Sequence, residues 1–68
     1  MHKNTLNALN RQGDFYGRVV TIWGDHMWRG HVGKIKNIIL PRQIEIRLEN
    51  GTVTLADHRM VALGDNRQ

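Results

Sequence analysis

Five short segments between residues 18 and 63 are rich in apolar residues, several of them alternate with polar residues at a period of two, and turn-forming residues separate them. This period is typical of strands that bury one face. The clearest segment is 43–49, where Ile44, Ile46 and Leu48 alternate with polar and charged residues. Five strands in so short a stretch cannot form two stacked sheets. They predict an all-β fold in which one sheet curls into a partly open barrel and so removes most free strand edges.

The predicted strands are residues 18–23, 33–40, 43–49, 52–55 and 60–63. Asn50-Gly51 favours a tight hairpin between the third and fourth strands, because both residues tolerate a positive φ. Asp57 is predicted to cap a tight turn through His58 and Arg59. The side chains expected to face the core are Val20, Ile22, Ile35, Ile38, Ile44, Ile46, Leu48, Val53, Leu55, Val61 and Leu63.

The chain of 68 residues is short enough to be one domain. Residues 1–14 are polar and are expected to form a flexible N-terminal arm, although Leu6 and Leu9 are spaced to share one face of a short helix. Residues 15–64 form the predicted barrel, and residues 65–68 form a polar tail. Gly24, Gly30 and Gly33 fall where the first strand must bend back into the second, and such bends favour glycine.

Three short stretches, Val20-Thr21-Ile22, Trp28-Arg29-Gly30 and Gly33-Lys34-Ile35, resemble the KOW motif. That motif has a valine-rich strand, an aromatic-Lys-Gly step, a second glycine, and then a basic and an aliphatic residue. Gly33 stands where the family's most constant glycine would be, and the similarity extends over residues 18–63. The loop before Trp28 is about one residue longer than is usual in the family.

The resemblance implies an SH3-like barrel of five strands and a binding module that is not an enzyme. KOW domains occur in ribosomal large-subunit proteins, where they bind rRNA. They also occur in transcription factors of the NusG and Spt5 type, where they contact RNA polymerase, RNA or other factors. Other SH3-like barrels dock on large assemblies, including photosynthetic electron-transfer complexes.

The charge balance also favours an anionic partner, since the formal net charge is +4 and the isoelectric point is near 10.4. RNA is the expected ligand; DNA is less favoured because no helix-turn-helix pattern is present. No apolar run reaches the length of a membrane span, so no membrane insertion is expected. The absence of cysteine excludes disulfides and fits a cytoplasmic location.

Lys34 and Lys36 are predicted to point the same way, opposite to Ile35, and to bind phosphates with other cations. Trp28 is the candidate for stacking on unpaired bases. The alternative, a solvated face balanced by Glu45 and Glu49, stays open. The complete predicted nucleic-acid surface is Arg18, Trp28, Arg29, His31, Lys34, Lys36 and Arg42.

A second hypothesis is a protein-interaction subunit that docks on a polymerase, a ribosome or an electron-transfer assembly. Trp23 and Trp28 are then the candidate anchors, because exposed tryptophan often dominates protein interfaces. Both tryptophans have a structural interpretation too: each covers an open end of the barrel or packs on the N-terminal segment.

Catalysis and metal binding have little support in the sequence. The chain has no serine and no cysteine, and no enzyme activity is expected. The threonines of the predicted strands, Thr21, Thr52 and Thr54, are placed on outward positions without an adjacent base. His26, His31 and His58 do not have the spacing of zinc ligands. We expect no metal and no cofactor.

Overall fold

The computed structural model describes residues 1–66. Helix α1 (Lys3–Gln12) precedes five strands: β1 (Val19–Ile22), β2 (Val32–Ile39), β3 (Gln43–Leu48), β4 (Val53–Asp57) and β5 (Val61–Leu63). A 3₁₀ turn at His58–Met60 joins β4 to β5. The strands form one antiparallel sheet in the order β4-β3-β2-β1-β5. This confirms the predicted small, five-stranded, partly open SH3-like barrel.

The core lies on the inner face of the curled sheet and is mostly aliphatic. Eight predicted core residues are confirmed as buried: Val20, Ile22, Ile35, Ile38, Ile44, Ile46, Leu48 and Val61. Their spacing on β2 requires a bulge, since Ile35 and Ile38 are three residues apart and both face inward. The pairing with β3 shifts between Ile35 and Asn37, which leaves Lys36 and Asn37 exposed on the other face.

The prediction is wrong for three residues, which were expected to face the core and are exposed instead. Val53 and Leu55 on β4 are 41% and 47% exposed, and Leu63 on β5 is 39% exposed. On β4 the inner positions belong instead to Thr54 and Ala56, which pair with Ile46 and Ile44 of β3.

For Val53 and Leu55 the cause is the length of the hairpin loop after β3. The Gly51 N–H donates to the Leu48 carbonyl at 3.0 Å, and the Leu48 N–H donates to the Thr52 carbonyl at 2.8 Å. Among the residues of this loop, only Gly51 has a positive φ, of 89°. This is a three-residue loop of Glu49, Asn50 and Gly51, whereas the Asn-Gly pair predicts two residues. One extra residue moves every side chain of β4 to the opposite face.

The N-terminal segment is not the flexible arm expected from the sequence. Residues 3–12 form a helix that packs on the sheet. The His2 side chain caps the helix by accepting a hydrogen bond from the Asn4 N–H, and Gly13 ends it with a φ of 74°. Leu6 is fully buried and Leu9 nearly so, both within the main core. Burial of these two leucines stabilises a helix too short to persist alone.

The tail is partly held against β1. Thr21, expected to face outward, is fully buried. Its hydroxyl donates to the Gly64 carbonyl and accepts from the Asn66 N–H, both at 2.8 Å. Arg67 and Gln68, also predicted as polar tail, lie outside the described residues.

Candidate nucleic-acid interface

Three cations meet on the outer face of the β2–β3 hairpin. Lys34 of β2 pairs directly with Arg47 of β3, and Lys36 projects from the bulge that follows. All three line one shallow depression with Tyr16 and Gly17 from the turn before β1. The sequence predicted that Lys34 and Lys36 share a face, and the structure confirms this. Arg47 and Tyr16 also line this depression, although neither belongs to the surface predicted from the sequence.

The electrostatics of this cation cluster (Lys34, Lys36 and Arg47) are unfavourable in the free protein. Like charges directly opposite each other on neighbouring strands destabilise a sheet. Within residues 1–66, none of the three cations makes an ion pair with a carboxylate. Glu45 lies two positions from Arg47 on the same face of β3 and balances only part of the charge. An anion bound here would relieve the repulsion.

The depression continues toward the loop between β1 and β2. Lys34 and Arg47 also line a neighbouring depression of about 510 Å³ that includes Val32 and Glu49. Val32 and Glu49 in turn border a third depression, which contains Arg29 and His31. The predicted loop residues Arg29 and His31 therefore lie along one continuous surface with Lys34, and the acid Glu49 lies between them.

Two other predicted cations lie elsewhere or are already engaged. The Arg18 guanidinium binds the Asp14 carboxylate at 2.9 Å. Arg42 lies at the turn between β2 and β3, with its Nε 3.5 Å from Asp57 Oδ2. It lines a separate depression with Lys3 and Arg59. The structure thus brings together only part of the predicted surface.

Neither tryptophan is presented as an open stacking platform. Trp28 is partly buried against the core, and its ring meets His31 edge-on with centroids 5.2 Å apart. Trp23 is also partly buried, and its backbone N–H donates to the Met60 carbonyl. The structural interpretation therefore fits both side chains better than the binding interpretation.

The His26 side chain connects the loop that carries Trp28 to β4 through two hydrogen bonds. His26 Nδ1 accepts from the Trp28 N–H at 3.0 Å, so the ring's Nε2 carries the proton that it donates to the Leu55 carbonyl at 2.9 Å. With both nitrogens engaged, His26 is a link between this loop and β4. In the described part of the chain, no three side chains of histidine, cysteine, aspartate or glutamate converge as a metal site would require.

The 3₁₀ turn is organised by Asp57, as the sequence predicts. Asp57 Oδ1 accepts from the Arg59 backbone N–H at 3.0 Å and from Arg59 Nε at 3.2 Å. That backbone donor, followed by the Arg59 guanidinium and His58, lowers the pKa of the Asp57 carboxyl below its ordinary value. The acid is therefore ionised at neutral pH and neutralises much of the charge around Arg42 and Arg59.

Arg47 and Tyr16 each had a signal in the sequence. Arg47 occupies an outward position of the alternating third strand, but its neighbours Glu45 and Glu49 made that strand look electrically balanced. Pairing with Lys34 becomes visible only when the register of β2 and β3 is known. Tyr16 precedes Gly17 at a turn, and its exposure depends on the path of the chain into β1.

Comparison with known proteins gives no relative. No family model matches the chain, and no curated protein and no solved structure matches it. Within residues 1–66, no helix has the length and apolar character needed to cross a membrane. The similarity to KOW domains stays a prediction.

Proposed function

We propose that this chain is a non-catalytic RNA-binding module whose phosphate-binding surface is the cation cluster Lys34, Lys36 and Arg47. The observation that carries the proposal is the direct pairing of Lys34 with Arg47 beside Lys36, without ion pairing to any described carboxylate. Such an arrangement costs stability in the free protein and is offset when phosphates bind.

The KOW resemblance supports RNA rather than DNA and favours a role on the ribosome or with the transcription machinery, in the cytoplasm. The sheet surface also suits RNA, because strand-based modules bind unpaired RNA on a sheet without inserting a helix into a groove. Arg29 and His31 extend the proposed surface along the neighbouring depressions.

The test is a titration of a fluorescent RNA of mixed sequence with the parent chain and with a Lys34→Glu/Lys36→Glu variant. We expect at least a tenfold loss of affinity and a salt dependence shallower by about 1.4, since each single-strand phosphate contact contributes about 0.7 to the slope. The fold should survive, because the glutamate introduced at position 34 would face Arg47 as an opposite charge.

Lys3→Glu/Arg11→Glu is the matched control, because it makes the same change in net charge on α1. Both residues are exposed and make no ion pair with a described carboxylate. The control should retain most of the affinity. Equal losses in the two variants would mean that the net charge alone attracts RNA, and the proposed surface would be wrong.

A second candidate function is docking on a protein assembly through β4, which is an edge strand. Its exposed Val53 and Leu55 form an apolar strip beside backbone groups that point away from β3. A polymerase, a ribosomal protein or an electron-transfer subunit would pack against these two side chains, since the Leu55 carbonyl on this edge already accepts a hydrogen bond from His26. A protein that co-purifies with the chain after nuclease treatment, and is released by Leu55→Lys, would favour this function over RNA binding.

A further inference from the structure

We infer that Tyr16 stacks on an unpaired base, so that the ligand of this surface is single-stranded RNA and not a duplex. The inference rests on the proposed function and replaces Trp28 as the stacking residue. Tyr16 is 77% exposed, whereas Phe15, Trp23 and Trp28 are all partly buried.

The exposure of Tyr16 is built into the turn that carries it. Phe15, directly before it, packs against the core, and the Arg18 N–H donates to the Phe15 carbonyl at 3.0 Å. The Gly17 N–H donates to the Ile35 carbonyl at 2.9 Å, with Gly17 at a φ of 81°. Tyr16 is therefore held outward between two anchored neighbours. The backbone that carries the ring is therefore ordered before a ligand binds, so stacking does not have to order the turn.

The position of the ring relative to the cations indicates the kind of ligand. Tyr16 and Gly17 form one wall of the depression that Lys34, Lys36 and Arg47 complete. A strand whose phosphates bind the cations would bring its bases within reach of the tyrosine ring. In single-stranded RNA those base faces are free, whereas a duplex has them stacked on each other.

The alternative use of an exposed tyrosine is anchoring a protein partner. The cation cluster argues against a protein ligand at this point, because uncompensated lysine is depleted at the centres of protein interfaces. Tyrosine beside lysine and arginine is instead the combination that single-strand binders use, with stacking from the ring and phosphate attraction from the cations.

The experiment compares three RNA probes: a single strand of mixed sequence, the same strand carrying abasic sites, and a duplex of the same length. Each is titrated with the parent chain, Tyr16→Ala and Tyr16→Phe. We expect Tyr16→Ala to weaken single-strand binding about 5- to 150-fold, because one stacked base contributes about 1–3 kcal/mol. Tyr16→Phe should bind nearly as tightly as the parent chain.

The abasic and duplex probes isolate stacking from phosphate attraction. The parent chain, Tyr16→Ala and Tyr16→Phe should bind the abasic strand with equal affinity, and they should also bind the duplex with equal affinity. Both of these affinities should be weaker than the affinity of the parent chain for the intact single strand. Because Tyr16 is exposed, all variants should unfold at the parent's temperature, so a lost affinity cannot be assigned to misfolding.

Two results would overturn the inference and leave the proposed function standing. One is an unchanged single-strand affinity in Tyr16→Ala while Lys34→Glu/Lys36→Glu still loses RNA. The other is an equal loss on the single strand and the duplex. If the parent chain binds none of the probes at low salt, the proposed function itself fails.

Discussion

At Gly33 the backbone of β2 lies so close to β3 that a side chain would not fit. A Cβ atom at this position would lie 2.6 Å from the Arg47 carbonyl oxygen and 2.6 Å from Ile46 Cγ2. The first of these is backbone and cannot rotate away. The glycine therefore allows β2 to approach β3 closely at the point where the sheet curls, just before Lys34.

Gly33→Ala should lower the free energy of unfolding by about 2–3 kcal/mol, the upper range for overpacking a tight site. Gly30→Ala is the comparison, since Gly30 has a φ of 84° but no atom within 4 Å of the added Cβ. It should cost only the backbone strain of a left-handed alanine, about 1–2 kcal/mol. Urea denaturation of both variants measures the difference. A Gly33→Ala variant no less stable than Gly30→Ala would contradict the close approach.

His26 has a structural role that the sequence does not indicate. In the sequence it is one of three histidines that raise the question of a metal site, and their spacing is not that of zinc ligands. In the structure both ring nitrogens form hydrogen bonds: Nδ1 accepts from the Trp28 N–H, and Nε2 donates to the Leu55 carbonyl. No local pattern signals the second contact, because Leu55 is far away in the chain.

At the scale of elements, the β3–β4 hairpin determines which apolar residues the molecule shows to its surroundings. Asn50 accepts a hydrogen bond from the Thr52 N–H through its side chain at 2.9 Å, which supports the three-residue loop. The resulting register puts Val53 opposite Arg47 and Leu55 opposite Glu45 on the outer face. The hairpin was predictable from Asn50-Gly51, but its loop length was not, and the exposed strip on β4 follows from that length.

The turn between β4 and β5 gives a prediction about pH. Because contacts in the folded chain lower the pKa of Asp57, folding favours its ionised form. That contribution to stability is fully present above the carboxyl's ordinary pKa of about 4 and is lost as the pH falls through the lower folded value.

Asp57→Asn keeps an oxygen for the Arg59 N–H and removes the charge, so it isolates this effect. The parent chain should be more stable than Asp57→Asn at about pH 6, and the difference should shrink below about pH 4. Chemical denaturation at several pH values measures it. A difference that stays constant or grows on acidification would show that the charge of Asp57 does not stabilise the turn.

At the scale of the whole molecule, the N-terminal helix belongs to the same core as the sheet. Leu6 is among the largest fully buried side chains, and α1 also contacts the 3₁₀ turn. A domain of this size buries a modest core, so each large apolar side chain is a substantial part of its stability.

Leu6→Ala should therefore lower the free energy of unfolding by about 2–4 kcal/mol, as other buried leucine truncations do. Asn7→Ala, on the exposed side of the helix, should change it by less than about 0.5 kcal/mol. Thermal unfolding followed by circular dichroism compares the two. A small effect of Leu6→Ala would mean that the helix adds little to the core, as the flexible-arm expectation implied.

Sequence periodicity alone determined the strand-rich fold, the approximate strand bounds, seven of the eight confirmed core residues and the shared direction of Lys34 and Lys36. These features depend on local physical chemistry: side chains alternate along a strand, glycine allows bends, and aspartate caps turns. The burial of Ile38 depends on the bulge in β2. The tertiary structure decided the burial of Leu6, the exposure of Val53 and Leu55, and the meeting of Tyr16 and Arg47 with the lysines. Each of these depends on register or on packing between distant segments, and a shift of one residue in register reverses a whole strand face.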